Sequence, residues 1–187
     1  MNVLYLGISG VLHPSWSFYR YVHGREPDED GHRKYQSVPT LNQALLGWPG
    51  ARIILTSTQP WAKGLPEVLG FLGPLAARVD GFTFEDLTVK APYKGRGGRP
   101  MFDVDYWRLS KGQIVRAHAE WLKPTAWIAL DDEDLGWDDD DRACRLVLTG
   151  GTAGLEDAAA LDRLMTVLEA NFGPPFRQPS AIEGRGS

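Results

Sequence analysis

The residues of this chain best suited to handling phosphate are Thr56-Ser57, Lys111, the pair Asp131-Asp132 and the loop Gly7-Ile8-Ser9-Gly10. A hydroxyl, a lysine, backbone N–H groups in a glycine loop and an acid-held Mg²⁺ can together cradle a phosphate. Phosphoryl transfer needs such positioning and charge neutralisation more than elaborate covalent chemistry. A nucleophile is what the set lacks. Gly7 supplies no side chain. Ser9 supplies a hydroxyl, which is weak unless activated, and no base is evident beside it. Plainer roles compete for several of these residues. Lys111 suits a solvated first turn of a helix, and Thr56 suits a cap. Asp138 to Asp141 read as a solvated run rather than a second metal site. His13 reads as structural, before Pro14. His118 reads as core or boundary, and Trp48, Trp61, Trp107, Trp121 and Trp127 as packing.

The elements that must position these residues are legible as short apolar runs, each ending in a loop. Val3 to Leu6 runs into the glycine loop, and Arg52 to Leu55 into Thr56-Ser57-Thr58. Ala126 to Leu130 runs into Asp131-Asp132, and Arg145 to Leu148 into Thr149-Gly150-Gly151. Continuous apolar character predicts strands covered on both faces, as in a parallel sheet. Helices are predicted at Leu41 to Trp48, at Lys111 to Leu122 behind an N-cap at Ser110, and at Leu155 to Phe172. The stripe of the last is expected to be Leu161, Leu164, Met165 and Leu168. Strands alternating with helices predict a doubly wound α/β layer. Two stretches, 15–39 and 90–105, fit neither pattern and read as loop insertions. The first follows strand one and is expected to overhang the crevice at the strand C-termini.

Composition sets the class. The chain has 187 residues, 43% hydrophobic and 24% charged, enough for one domain, expected over 1–173. No apolar run is long enough for a membrane span and no leader pattern opens the chain, so the expected location is cytoplasmic. Cys144, the lone cysteine, cannot form an internal disulfide and reads as a small buried hydrophobe in a strand. Net charge is −4, yet eight acids crowd into Asp131 to Asp141, and the remaining residues carry 16 acids against 20 bases. That mild excess does not by itself argue for nucleic acid. The stretch 174–187 reads as a loose tail. Its Ile182-Glu183-Gly184-Arg185 matches a protease site often engineered into expressed proteins, so it is set aside.

Val3 to Leu6 followed by Gly7-Ile8-Ser9-Gly10-Val11-Leu12-His13-Pro14 resembles the opening motif of the haloacid dehalogenase (HAD) superfamily of phosphohydrolases. In that motif two aspartates, one residue apart, are the nucleophile and the acid/base. Gly7 and Ser9 stand at those places. The resemblance implies that Thr56, with Ser57 as its neighbour, matches the hydroxyl on the phosphate. It implies that Lys111 matches the lysine that neutralises charge, and Asp131 and Asp132 the pair that holds Mg²⁺. Order and strand–loop context agree across residues 3 to 148. The fold implied is a HAD-like Rossmannoid layer, doubly wound and mainly parallel, with helices on both faces and no large cap domain. With both motif aspartates gone, the implied function is a non-hydrolytic binding protein with weakened Mg²⁺ affinity. Its partner would be a phosphorylated small molecule or a protein, with nucleic acid left open. The alternative is an active Mg²⁺-dependent phosphohydrolase or phosphotransferase with unusual chemistry.

Overall fold

The computed structural model describes residues 1–83 and 109–176. The expected insertion at 90–105, Trp107 and the tail from residue 177 lie outside the described residues. Strands β1 (Asn2–Leu6), β2 (Ala51–Leu55), β3 (Val79–Phe82), β4 (Ala126–Asp131) and β5 (Leu146–Leu148) form one sheet, with every pairing parallel and the order β3-β2-β1-β4-β5. The helices are α1 (Trp16–His23), α2 (Val38–Ala44), α3 (Gln59–Lys63), α4 (Leu65–Leu72), α5 (Lys111–Leu122), α6 (Asp139–Cys144) and α7 (Ala158–Phe172). This is the doubly wound α/β fold that the strand–helix alternation predicts, and no large cap domain stands among the described residues. No helix among the described residues is long and apolar enough to cross a membrane.

Alternation along the strands builds two cores. Leu4, Leu6, Ile53, Leu55, Ile128 and Leu130 face one side and pack with Leu41 of α2, Leu72 of α4 and Leu164 of α7. Val3, Tyr5, Ile54, Trp127 and Ala129 face the other and pack under Val115 and Ala119 of α5. Both faces are covered, so the strands read as continuous apolar runs. Burial of each large side chain contributes roughly 1.5–3 kcal/mol, which makes the sheet the rigid base for the loops at its ends.

Several expectations need correction. The 15–39 stretch is not irregular throughout. It holds α1 and a 3-10 turn at Pro27–Asp30. An α1 of barely two turns, with Phe18, Tyr21 and Val22 exposed and Tyr19 buried, hides its inward face from a periodicity reading. Strand β3 and helices α3 and α4 were not anticipated, because β3 is four residues with a glycine and the helices are broken by Gly64 and prolines. Cys144 ends α6 and is exposed; the strand starts at Leu146. The aspartate run is a helix start in part: Asp138 accepts a hydrogen bond from Asp141 N–H at 2.8 Å, and Asp141 is buried against Arg145. On α7, Val167 takes the buried place expected for Met165, which is exposed, and Asp157 caps the start. The tail begins bonded, with Phe176 N–H donating to Gly47 C=O at 2.7 Å.

Candidate functional site

The sheet order reverses at β1, with β2 on one side and β4 on the other. Ligands of open α/β sheets sit in the crevice outside the strand C-termini at such a point. Register decides what stands there. Leu6 pairs with Leu55 and with Leu130. The next residues on the three strands, Thr56, Gly7 and Asp131, therefore form one row. Side chains alternate faces, so this row shares the face of Tyr5, Ile54 and Ala129, the face that α5 covers.

Lys111, the first residue of α5, comes down on the row. Its Nζ donates to Thr56 C=O at 3.1 Å and lies 3.5 Å from Asp131 Oδ2. Thr56 Oγ1 donates to the same Asp131 oxygen at 3.0 Å, and Glu133 N–H donates to Asp131 Oδ1 at 3.3 Å. Asp131 is thus bonded on both oxygens while 2% exposed. Ser110 starts α5 as expected, its backbone N–H donating to Gln113 Oε1 at 3.0 Å. Three sequence-predicted residues, Thr56, Lys111 and Asp131, are brought together around Gly7.

The others are placed differently. A Cβ built on Gly7 would lie 2.8 Å from Asp131 Oδ2 and 3.1 Å from Val11 Cγ2, so the Asp131 carboxylate fills the room that a side chain at Gly7 would need. Ser57 Oγ accepts from Gln59 N–H at 3.2 Å and starts α3. Ser9 is exposed, and its hydroxyl makes no hydrogen bond to a base among the described residues. Asp132 lies under the loop, against Gly10 and toward Gly151. Burial first, and then the charge of Asp131, push its carboxyl up to about 6.

Gly10 has φ of +76° and carries the turn that brings the loop over Asp132; a Cβ there would collide with the Asp132 carboxylate. Gly10→Ala is expected to destabilise the protein by at least about 2–3 kcal/mol, from positive φ plus the clash. Urea denaturation measures it, and a loss below 1 kcal/mol would show that the loop and Asp132 shift freely.

Sequence reasoning missed the residues that fasten the loop. Thr149 Oγ1 donates to Gly10 C=O at 2.8 Å, and Leu155 N–H to Val11 C=O at 3.0 Å. Thr149 directly follows a predicted strand, which was the available signal. His13 is buried, and its Nδ1 accepts the Tyr35 N–H at 3.2 Å. Burial, with Lys34 and Lys63 nearby, lowers its pKa from 6.5 to about 4. The unfolded chain takes up a proton below pH 6.5 that the folded chain refuses until about 4, so stability falls as pH drops through that window, by on the order of 2–3 kcal/mol. Asp132 acts with the opposite sign, since its folded carboxyl is raised: the fold recovers stability as pH falls through 6 toward 4. His13→Asn keeps an acceptor near Nδ1 and is expected to remove the first effect alone. Parallel wild-type and His13→Asn stability curves between pH 7 and 4 would refute that assignment.

Mg²⁺ takes oxygen ligands, one or two of them carboxylates. No group of three or more His, Cys, Asp or Glu side chains able to hold a metal ion occurs among the described residues. Asp131 is committed on both oxygens, and Asp132 is set against Gly10. Asp131 and Asp132 are the carboxylates that the described site offers such an ion, which also keeps several waters.

A further feature concerns the backbone. Gly7 N–H donates to Leu130 C=O and Thr56 N–H to Leu6 C=O, both at 2.9 Å. The N–H groups of Ile8, Ser9, Ser57 and Thr58, which come next on the two loops, make no hydrogen bond among the described residues. Ile8 is itself buried. Ser9 and Thr58 are exposed and Ser57 is half-buried, so the loops are open to an acceptor from solvent.

Searches of curated proteins and of solved structures gave no match. One family model, described as the HAD domain in Swiss Army Knife RNA repair proteins, matches residues 3–160. That span contains the whole sheet, the glycine loop, Thr56, Lys111 and the Asp131-Asp132 pair, and the chain belongs to this family of HAD domains.

Proposed function

We propose that this chain binds the terminal phosphate of an RNA strand and does not hydrolyse it. The observation that carries the reading is the set of N–H groups at Ile8, Ser9, Ser57 and Thr58 that meet no acceptor among the described residues, on two adjacent strand ends with Lys111 beside them. Backbone N–H groups converging with a lysine suit an oxyanion with several acceptor oxygens. The loss of chemistry follows from Gly7, where no side chain stands, and from Ser9, whose hydroxyl has no bonded base. Neutral residues there also leave Asp131 and Asp132 uncrowded by further carboxylates, which suits an anion and weakens affinity for Mg²⁺. RNA is named because the family is described by RNA repair. A broken phosphodiester leaves a phosphate on one of its two ends.

In the proposed mode, Ser9 and Ile8 N–H groups donate to one side of the phosphate and Ser57 and Thr58 N–H groups to the other. Lys111 shares its charge between Asp131 and the ligand. A phosphate-ester panel with Mg²⁺, including 5′- and 3′-phosphorylated RNA, is expected to give no turnover. The same phosphorylated strands bind more tightly than hydroxyl-ended ones. Robust turnover that disappears in Asp131→Ala would overturn the reading. It would favour the second one, an Mg²⁺-dependent phosphohydrolase or phosphotransferase with unusual chemistry, which the intact cluster of Thr56, Lys111 and Asp131 motivates. Equal affinity for phosphorylated and hydroxyl ends would also overturn it.

A further inference from the structure

Helix α1 carries the most exposed aromatic surface beside the crevice. Phe18 is 47% exposed and Tyr21 is 84% exposed, with Val22 next to them. Their spacing of three and four residues places them in one stripe. The helix is fastened to the crevice rim, because Ser15 N–H donates to Gly151 C=O at 2.7 Å. Phe18 covers Gly151: a Cβ built there would lie 2.8 Å from Phe18 Cδ1 and 3.5 Å from Asp132 Oδ2. The ring therefore stands at the mouth of the crevice, and Tyr21 follows about 4.5 Å farther along the helix axis.

The inner face of α1 is already used. Tyr19 donates to Asp30, which also pairs with Arg25 at 2.8 Å, and its ring meets those of His23 and His32. These contacts hold the helix rigid from behind and leave the outer stripe free of them. One cation stands at the start of the same helix: Lys34 lies over the Trp16 ring at 5.6 Å. Open aromatic rings beside loop N–H groups that meet no acceptor among the described residues match a single strand, whose bases stack on such rings.

Resting on the phosphate-end reading above, we infer that Phe18 and Tyr21 form a stacking platform for the last one or two unpaired bases of the RNA strand whose terminal phosphate enters the crevice. A partner helix or a second copy of this chain would need a larger apolar area than two rings and a valine. Stacking also tolerates any base, so the platform recognises an unpaired end rather than a sequence.

Fluorescence polarisation with a single-stranded hexaribonucleotide, labelled at the end opposite its phosphate, tests this. The arms are a 5′-phosphate, a 3′-phosphate, a hydroxyl end, and a phosphorylated end with an abasic last nucleotide. Phe18→Ala is expected to weaken binding of the phosphorylated strand about tenfold, the loss of one stacked base. Phe18→Trp retains affinity, and neither change alters Tm, because the ring is half exposed. The loss caused by Phe18→Ala vanishes on the abasic strand. Phosphate-dependent binding that is indifferent to Phe18, Tyr21 and the terminal base overturns the platform and leaves the phosphate reading standing. Binding indifferent to the terminal phosphate overturns both. Self-association abolished by Phe18→Ala, with no effect on RNA binding, overturns the platform and assigns the stripe to a second copy.

Discussion

Gly7→Asp, the substitution that returns a carboxylate to the first loop, is expected to destabilise the metal-free protein by about 2–4 kcal/mol. The new Cβ would stand 2.8 Å from Asp131 Oδ2, so the Asp131 carboxylate must leave its bonds to Thr56 and Lys111. A third negative charge would then join Asp131 and Asp132, with Lys111 as the one cation bonded to the cluster among the described residues. Like charges this close cannot all ionise without cost. For a chain of this size the loss corresponds to a fall in Tm of roughly 5–10 °C. Millimolar Mg²⁺ is expected to recover part of it, because the added carboxylate gives the ion a further ligand and the ion neutralises the crowded charge. The wild-type protein should gain little from the same ion. Thermal unfolding of both proteins, with chelator and with Mg²⁺, checks this. A variant as stable as wild type in chelator would show that Asp131 gives way at no cost. Equal stabilisation of both proteins by Mg²⁺ would show that the natural residues suffice for the metal.

The second large effect is expected at Lys111. A lysine in the first turn of a helix faces the positive end of the helix dipole, which is unfavourable by about 0.3–1 kcal/mol. On local grounds its removal should help. The structure reverses that sign, because Lys111 is the cation opposite the buried Asp131 and also donates to Thr56 C=O. Removing one partner of a buried pair leaves an uncompensated charge, worth about 3–5 kcal/mol when fully buried. Lys111 keeps some contact with solvent, so Lys111→Met is expected to cost about 2–3 kcal/mol. Lys111→Met combined with Asp131→Asn should recover most of that loss. Urea denaturation of the four proteins in the cycle measures the coupling. Additive losses would mean that Lys111 and Asp131 do not depend on each other, and the described network would fail. The same Lys111→Met protein should bind phosphorylated RNA ends more weakly.

Much of this site was legible one strand at a time. Val3 to Leu6, Arg52 to Leu55 and Ala126 to Leu130 are apolar runs that become β1, β2 and β4, and their next residues become the row Gly7, Thr56, Asp131. Ser110 and Gln113 mark the start of α5 by local capping chemistry, which brings Lys111 with it. Short elements resisted the same reading. Strand β3 spans four residues, α3 five, and α1 offers two turns whose exposed side is as aromatic as its buried side. Periodicity needs more turns than these provide.

The sequence by itself determined the fold class, the order of the loops at the strand ends, and the absence of a carboxylate at positions 7 and 9. These follow from local patterns and from residue identity. The tertiary structure decided where the remaining groups point. Parallel register aligned three strand ends, and a helix start then set a lysine on them. With no side chain at Gly7, the Asp131 carboxylate took that space and closed on Thr56 and Lys111. Asp132 became a half-buried carboxyl with a raised pKa, the Ile8 and Ser9 N–H groups met no acceptor among the described residues, and Phe18 came to stand over Gly151. Each of these depends on groups from distant parts of the chain sharing a few ångströms of low-dielectric space, where the neighbours of a charge or a donor settle its orientation.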